Sequence, residues 1–248
     1  MRTLYINCNS GVSGDMMLGA FLNLGVPENY LKDKLKRLKL NEFSLEIREK
    51  DVEGRQATDV DVVLDRPENL RKNPYWGNYR TYGDILEILN RSSLSTNEKV
   101  LSRRIFDIKA NAEAKVHGVC PEDVKFHEAG AVDSIVDIIG TAICCEYMNA
   151  DTVVSNHVPT GYGSVECAFG TLSVPAPAVK QILEDTEIPH YRSDIPHEVL
   201  TPTGASIIAG ITDEFGWKDI DKKIIGRGYG TGKRKTGLPP LELILCEE

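Results

Sequence analysis

The stretch Phe43-Ser44-Leu45-Glu46-Ile47-Arg48-Glu49-Lys50, followed beyond Glu53-Gly54 by Ala57-Thr58-Asp59-Val60-Asp61-Val62-Val63-Leu64, alternates apolar and polar residues on both sides of a turn. A period of two puts Phe43, Leu45 and Ile47 on one face of a strand and Val60, Val62 and Leu64 on one face of another, which predicts an antiparallel hairpin. That hairpin excludes a purely parallel sheet. Upstream, residues 3–8 read as a short strand, and Asn9-Ser10-Gly11-Val12-Ser13-Gly14 is a glycine-punctuated turn into an apolar helix from Asp15 to Leu24. A second helix is expected over 28–39, with Leu31, Leu35 and Leu38 on one face. Downstream, residues 66–80 carry Pro67, Pro74, Trp76 and Gly77 without periodicity and read as an exposed loop at a subdomain boundary.

The middle of the chain has helical signals. Thr81 and Asp84 have capping spacing, and Ser95-Thr96-Asn97-Glu98 fits a capping box ahead of an amphipathic helix bearing Leu101, Ile105, Ile108, Ala112 and Val116 and stopping at Gly118. A third helix is expected over 131–148. From 151 onward, strand-like segments (152–159, 164–168, 171–174, 223–229, 241–246) alternate with helices near 177–185 and 203–213. The fold class is therefore α+β, a mixed or antiparallel sheet with a helical middle segment, with 1–70 α/β, 81–150 helical and 151–248 β-rich as subdomains.

A chain of 248 residues can bury a sufficient core without disulfides or structural metal. It has no apolar run of the ~18 residues a membrane span needs, and polar Asn7 follows too soon for a signal peptide, so the expected place is the cytoplasm. The six cysteines (8, 120, 144, 145, 167, 246) form no CxxC pair, so each reads as a small buried hydrophobe. A net charge of −8 argues against binding a nucleic-acid backbone. Locally, Lys222, Lys223, Arg227, Lys233, Arg234 and Lys235 form a basic patch with no acid among them.

Three constellations can carry chemistry. In His117…His127-Glu128-Ala129-Gly130-Ala131-Val132-Asp133-Ser134-Ile135-Val136-Asp137, helical spacing puts Val132, Ile135, Val136, Ile139 and Ile143 on one face. Asp133, Asp137 and Cys144 then lie along its border, with Gly140 leaving room. With His127 and Glu128 these carboxylates are the N/O donor set of a borderline divalent cation, or an acid/base group. They equally fit a first-turn Asp complementing the helix dipole behind a plain cap. The turn Ser10-Gly11-Val12-Ser13-Gly14-Asp15 is either an N-cap turn or a cradle whose free N–H groups hold a phosphate or carboxylate. Thr201-Pro202-Thr203-Gly204 and the run Gly226-Arg227-Gly228-Tyr229-Gly230-Thr231-Gly232-Lys233 divide in the same way between anion holding and simple cap or flexible turn.

Six stretches, in order along nearly the whole chain, resemble the LarC family of nickel-insertion proteins, specifically its N-terminal domain: Ser10–Met16, Ala112–Gly118, Phe126–Asp137, Val174–Ala178, Leu200–Ala205 and Gly228–Gly232. The resemblance implies assembly of a nickel-pincer nucleotide cofactor. Nickel enters pyridinium-3,5-bisthiocarboxylic acid mononucleotide through one carbon–nickel and two sulfur–nickel bonds, with CTP and Mn²⁺ or Mg²⁺ used through a second, ferredoxin-like domain expected beyond residue 248. It implies Asp15, Glu128, Asp133 and Asp137 as catalytic groups and His117, His127, Glu128, Asp133 and also Cys8 as nickel ligands. Ser10, Gly11, Ser13, Gly14, Thr201, Thr203, Gly204, Gly228 and Gly230 would hold the mononucleotide. The CTP-binding half is the implied partner, no nucleic acid or membrane is, and a homo-oligomer is left open.

The chain departs from the family pattern at Lys125 and Phe169, each in place of a histidine, at Asn73–Tyr79, which holds none, and at Asn7, in place of an Asp. A cation at 125 would repel a nearby metal unless it holds substrate phosphate. The alternative class is a non-catalytic paralogue that binds a metal or nucleotide-like cofactor. The lost histidines favour it, and the intact Phe126–Asp137 run disfavours it.

Overall fold

A computed structural model describes residues 1–40, 42–64, 80–126, 131–167 (without the side chains of 166 and 167), 170–217, 220, 222–234 and 236–247. β1 (Arg2–Asn7) passes through the glycine turn into α1 (Gly14–Leu24) and α2 (Glu28–Lys36). β2 (Phe43–Val52) and β3 (Arg55–Leu64) form the expected hairpin, with Val52 opposite Arg55 and Phe43 opposite Leu64. Its two-residue turn, Glu53-Gly54, has φ +50° and +76°, the twist that matches a right-handed ribbon. The expected loop at 66–80 lies outside the described residues except for Arg80.

β4 (Arg80–Thr81) and α3 (Tyr82–Arg91) come next, then α4 (Thr96–His117), a 3₁₀ turn at Pro121–Asp123, β5 (Lys125–Phe126) and α5 (Val132–Met148). Both capping boxes form: Asp84 N–H donates to Thr81, Glu98 N–H donates to Ser95, and the two carboxylates return to the cap N–H groups. Gly118, left-handed at φ +68°, ends α4 as expected.

The last third gives β6 (Thr152–Ser155), β7 (Val158–Thr160), β8 (Gly163–Cys167), β9 (Gly170–Val174), α6 (Pro177–Thr186), β10 (His190–Arg192), α7 (Pro202–Ile211), β11 (Glu214–Phe215), β12 (Lys223–Thr231) and β13 (Leu241–Glu247). The single strand expected at 152–159 is two, because the chain leaves the main sheet after Ser155 and β7 pairs with β10. The main sheet has the order β11-β6-β1-β13-β12-β3-β2. Its β11–β6, β6–β1 and β12–β3 pairs are parallel and its β1–β13, β13–β12 and β3–β2 pairs antiparallel, so the fold is α+β with a mixed sheet.

Alternation along the central strands sorts the sheet into two faces. Leu4, Ile6, Leu241 and Leu243 join the main core with Leu18 and Phe21 of α1, Ile135 and Ile139 of α5, and Ile105 and Phe106 of α4. Tyr5, Val154, Ile244 and Cys246 form a small second cluster under Trp217 and Ile220. The main core draws residues from 1–70, 81–150 and 151–248 alike. α5 buries Val132, Ile135, Val136, Ile139 and Ile143 as its spacing predicts, and Gly140 admits the Leu18 side chain. Cys144 is interior, not on the border of that face. Cys120 is exposed, which corrects the reading of every cysteine as buried. Among the described residues no helix is long and apolar enough to cross a membrane.

Candidate functional site

The first turns of α1, α5 and α7 meet. The turn before α1 is zipped to the segment before α7: Val12 N–H donates to Val199 O at 2.8 Å and Thr201 N–H donates to Val12 O at 3.3 Å. Gly11 packs on Val199, and Gly204 on the Val12 carbonyl. From the third side Asp137 reaches over Gly14, where an added Cβ would lie 2.2 Å from Asp137 Oδ2. Only glycine lets that carboxyl approach the start of α1. Ser10 lies in the same turn, partly buried.

Ser13 does not cap α1 with its side chain. Its hydroxyl instead donates to Asp15 Oδ1, which also accepts Met16 N–H at 2.9 Å. Thr201 does cap, accepting Gly204 N–H at 3.0 Å, in keeping with the simple cap that its motif allows. Ala131 precedes α5 in the left-handed region (φ +64°) and provides no side-chain cap.

Asp133 stands in the first turn of α5 and Asp137 one turn on, both partly buried. Burial pushes the Asp137 carboxyl well above the ordinary carboxylate range, and the charges of Asp15 and Asp133 push it further, against the pull of Lys109 and Lys233. Burial also raises Asp15, against its bonds from Ser13 and Met16 and the charge of Lys233. Lys233 pairs with Asp61 at 2.7 Å. Burial alone would lower its amine, but Asp61, Asp133 and Asp15 hold it above its usual value. The result is three carboxyls and two ammoniums around three helix N-termini.

His117 ends α4, exposed and 3.4 Å from Glu113 Oε2. Helices α4 and α5 run antiparallel, since Lys109 meets Ser134 and Ser95 meets Glu146, so His117 lies at the end of the pair where α5 begins. His127 and Glu128 lie outside the described residues, as does Phe169. Among the described residues no three His, Cys, Asp or Glu side chains are close enough to hold a metal ion. Cys8 is bonded to Asn156 Oδ1 at 3.1 Å, and burial pushes its thiol up to about 11, which disfavours the thiolate that a nickel ligand needs.

The strand expected at 223–229 forms and extends to Thr231. Within the run, Gly228 and Gly230 therefore belong to strand β12 and not to a flexible turn, and α1 lies directly on them. A Cβ at Gly228 would lie 2.3 Å from Ala20 O, and one at Gly230 1.8 Å from Met16 O. These two glycines are absent side chains that admit a helix.

A sequence profile described as nickel insertion protein matches residues 4–245. The chain belongs to the nickel insertion protein family. Within it, the chain is 43% identical over 238 residues to the pyridinium-3,5-bisthiocarboxylic acid mononucleotide nickel insertion protein of Acetivibrio thermocellus, covering 96% of this chain and 58% of that protein. It is 39% identical over 251 residues to the protein of the same name from Geobacillus kaustophilus, covering 100% and 60%, and 41% identical over 243 residues to that from Clostridium kluyveri, covering 96% and 60%. The chain thus spans less than two thirds of the length of these curated relatives. No solved structure matches it.

For a nickel insertion protein, three side chains at this site carry no mark in the sequence pattern. Lys109 and Ser134 are buried between α4, α5 and α7. The third, His197, is held below its ordinary value by burial and then by the charge of Arg234, and its Nε2 is buried and lacks a partner among the described residues. Its neighbour Glu198 accepts from Arg234 through its carbonyl at 3.1 Å, beside Lys233. A His two residues before the Val199 contact is a signal that spacing alone does not single out.

Proposed function

We propose that this chain is the part of a nickel insertase that holds pyridinium-3,5-bisthiocarboxylic acid mononucleotide while nickel enters it, in the cytoplasm. The observation that carries this reading is the meeting of three helix N-termini at Asp15, Asp133 and Asp137 among Lys109 and Lys233. Helix N–H groups and ammoniums suit the phosphate and the thiocarboxylates, and carboxylates suit a divalent cation. Placing nickel on a ring carbon breaks a C–H bond, leaves the electron pair to the new carbon–nickel bond, and requires a proton acceptor. A carboxyl with raised proton affinity, Asp137 or Asp15, suits that task.

We assign the turn Ser10, Gly11, Ser13 and Gly14, together with Thr201, Thr203 and Gly204, to mononucleotide holding, and His117, His127, Glu128 and Asp133 to nickel. Gly228 and Gly230 drop out because α1 covers them. CTP and Mn²⁺ or Mg²⁺ belong, in this proposal, to the remaining length of the relatives, which would be the partner of this chain. A carrier that binds without inserting is the second reading, favoured by Lys125 where the family pattern has histidine.

The test is titration of the chain with Ni²⁺, Mn²⁺ and Mg²⁺, each with and without the mononucleotide. Nickel held more tightly with the mononucleotide present is the expected result, and loss of binding to both overturns the proposal. Nickel binding that survives His117→Ala with His127→Ala removes those two ligands from it.

A further inference from the structure

Lys109 is 5% exposed, in the middle of α4. Its ammonium donates to Ser134 Oγ at 2.6 Å and to Thr203 Oγ1 at 2.9 Å, 5.2 Å from the centroid of the Phe126 ring. Ser134 is in the first turn of α5, next to Asp133, and Thr203 is the second residue of α7, where the backbone N–H has no acceptor within the helix.

The ammonium also acts on the carboxyl of Asp137, whose proton affinity its charge lowers. Two helix dipoles turn their positive ends toward it, and taking it out of water is costly. What the ammonium does is orient hydroxyls. An oxygen that accepts from N–H must turn its own hydrogen elsewhere. The two oxygens are 3.4 Å apart, so at most one of their two hydrogens is used between them. Among the described residues neither hydroxyl has a further partner. At least one O–H, polarised by the cation, is therefore directed to an acceptor from outside.

We propose that Lys109 is a positioning residue that turns Ser134 and Thr203 into hydrogen-bond donors for the phosphate of the mononucleotide. This role rests on the substrate proposed above. It makes phosphate recognition depend on a side chain that does not touch the pyridinium ring.

The experiment measures, by calorimetry, the affinity of the chain for the mononucleotide and for its dephosphorylated nucleoside, with thermal unfolding followed in parallel. Wild type should prefer the mononucleotide. Lys109→Met should lose about tenfold of that preference and keep its nucleoside affinity, with a cooperative unfolding transition showing that it is folded. The triple variant Lys109→Met, Ser134→Ala, Thr203→Val makes the whole cluster apolar, and should show the same loss if the single variant does not fold. Full preference in either folded variant overturns the role of Lys109 alone. A wild-type chain that binds neither compound overturns the substrate reading and this role together.

Discussion

The antiparallel pair α4 and α5 buries charge at both ends, in opposite ways. At one end Glu98, fully buried, meets Lys34 at 2.6 Å and accepts Ser95 N–H at 2.7 Å, while Ser95 Oγ donates to Glu146. Burial alone would lower the Lys34 amine, but the bond and charge of Glu98 hold it above its usual value. At the other end Asp15 and Asp133 crowd the buried carboxyl of Asp137, and two ammoniums do not offset the crowding. Matched charge fastens helices. Crowded like charge costs stability, and is retained where a proton or a cation is to be handled.

The sharpest break of this comparison is Glu98→Ala. It leaves the Lys34 ammonium nearly buried without its partner and removes half of a capping box, so unfolding in urea should show a loss of about 3 kcal/mol or more. Mononucleotide affinity of the folded fraction should stay at the wild-type value. Asp137→Asn should do the reverse. The amide keeps the shape that fits over Gly14 but cannot take up a proton, so nickel retained in the presence of mononucleotide, read by metal analysis after gel filtration, should fall about a hundredfold without loss of stability. An Asp137→Asn chain that retains nickel normally would reduce the crowded end to a structural feature.

The sequence carries whatever is local. The hairpin at 43–64, both capping boxes and the Gly118 stop are decided within a few residues, and the i, i+4 spacing of Asp133 and Asp137 beside an apolar face is enough to mark those carboxyls. Lys109 is illegible there because its partners lie 25 and 94 residues away and nothing on α4 distinguishes it from a solvated lysine. Gly228 and Gly230 mislead for a related reason. The strand at 223–229 is legible, but that its glycines admit a helix is not, because α1, more than 200 residues earlier, supplies the contact. Strand order is beyond reach too, since β13 reaches β1 only from the far end of the chain.

The smallest expected effect is also the most direct on the crowded end. A carboxyl whose proton affinity is higher in the folded chain than in the unfolded one binds more protons when folded, between the ordinary value of 3.8 and its raised value. Its contribution to stability is therefore fully present below 3.8 and is lost as pH rises through the raised value. Asp137 behaves this way chiefly through burial, then through Asp15 and Asp133, with Lys109 and Lys233 opposing. Asn at 137 has no such contribution to lose. Subtracting wild-type from Asp137→Asn stability cancels the other groups that titrate alike in both. The difference should grow in favour of the variant as pH rises above 3.8, as measured by urea unfolding at each pH.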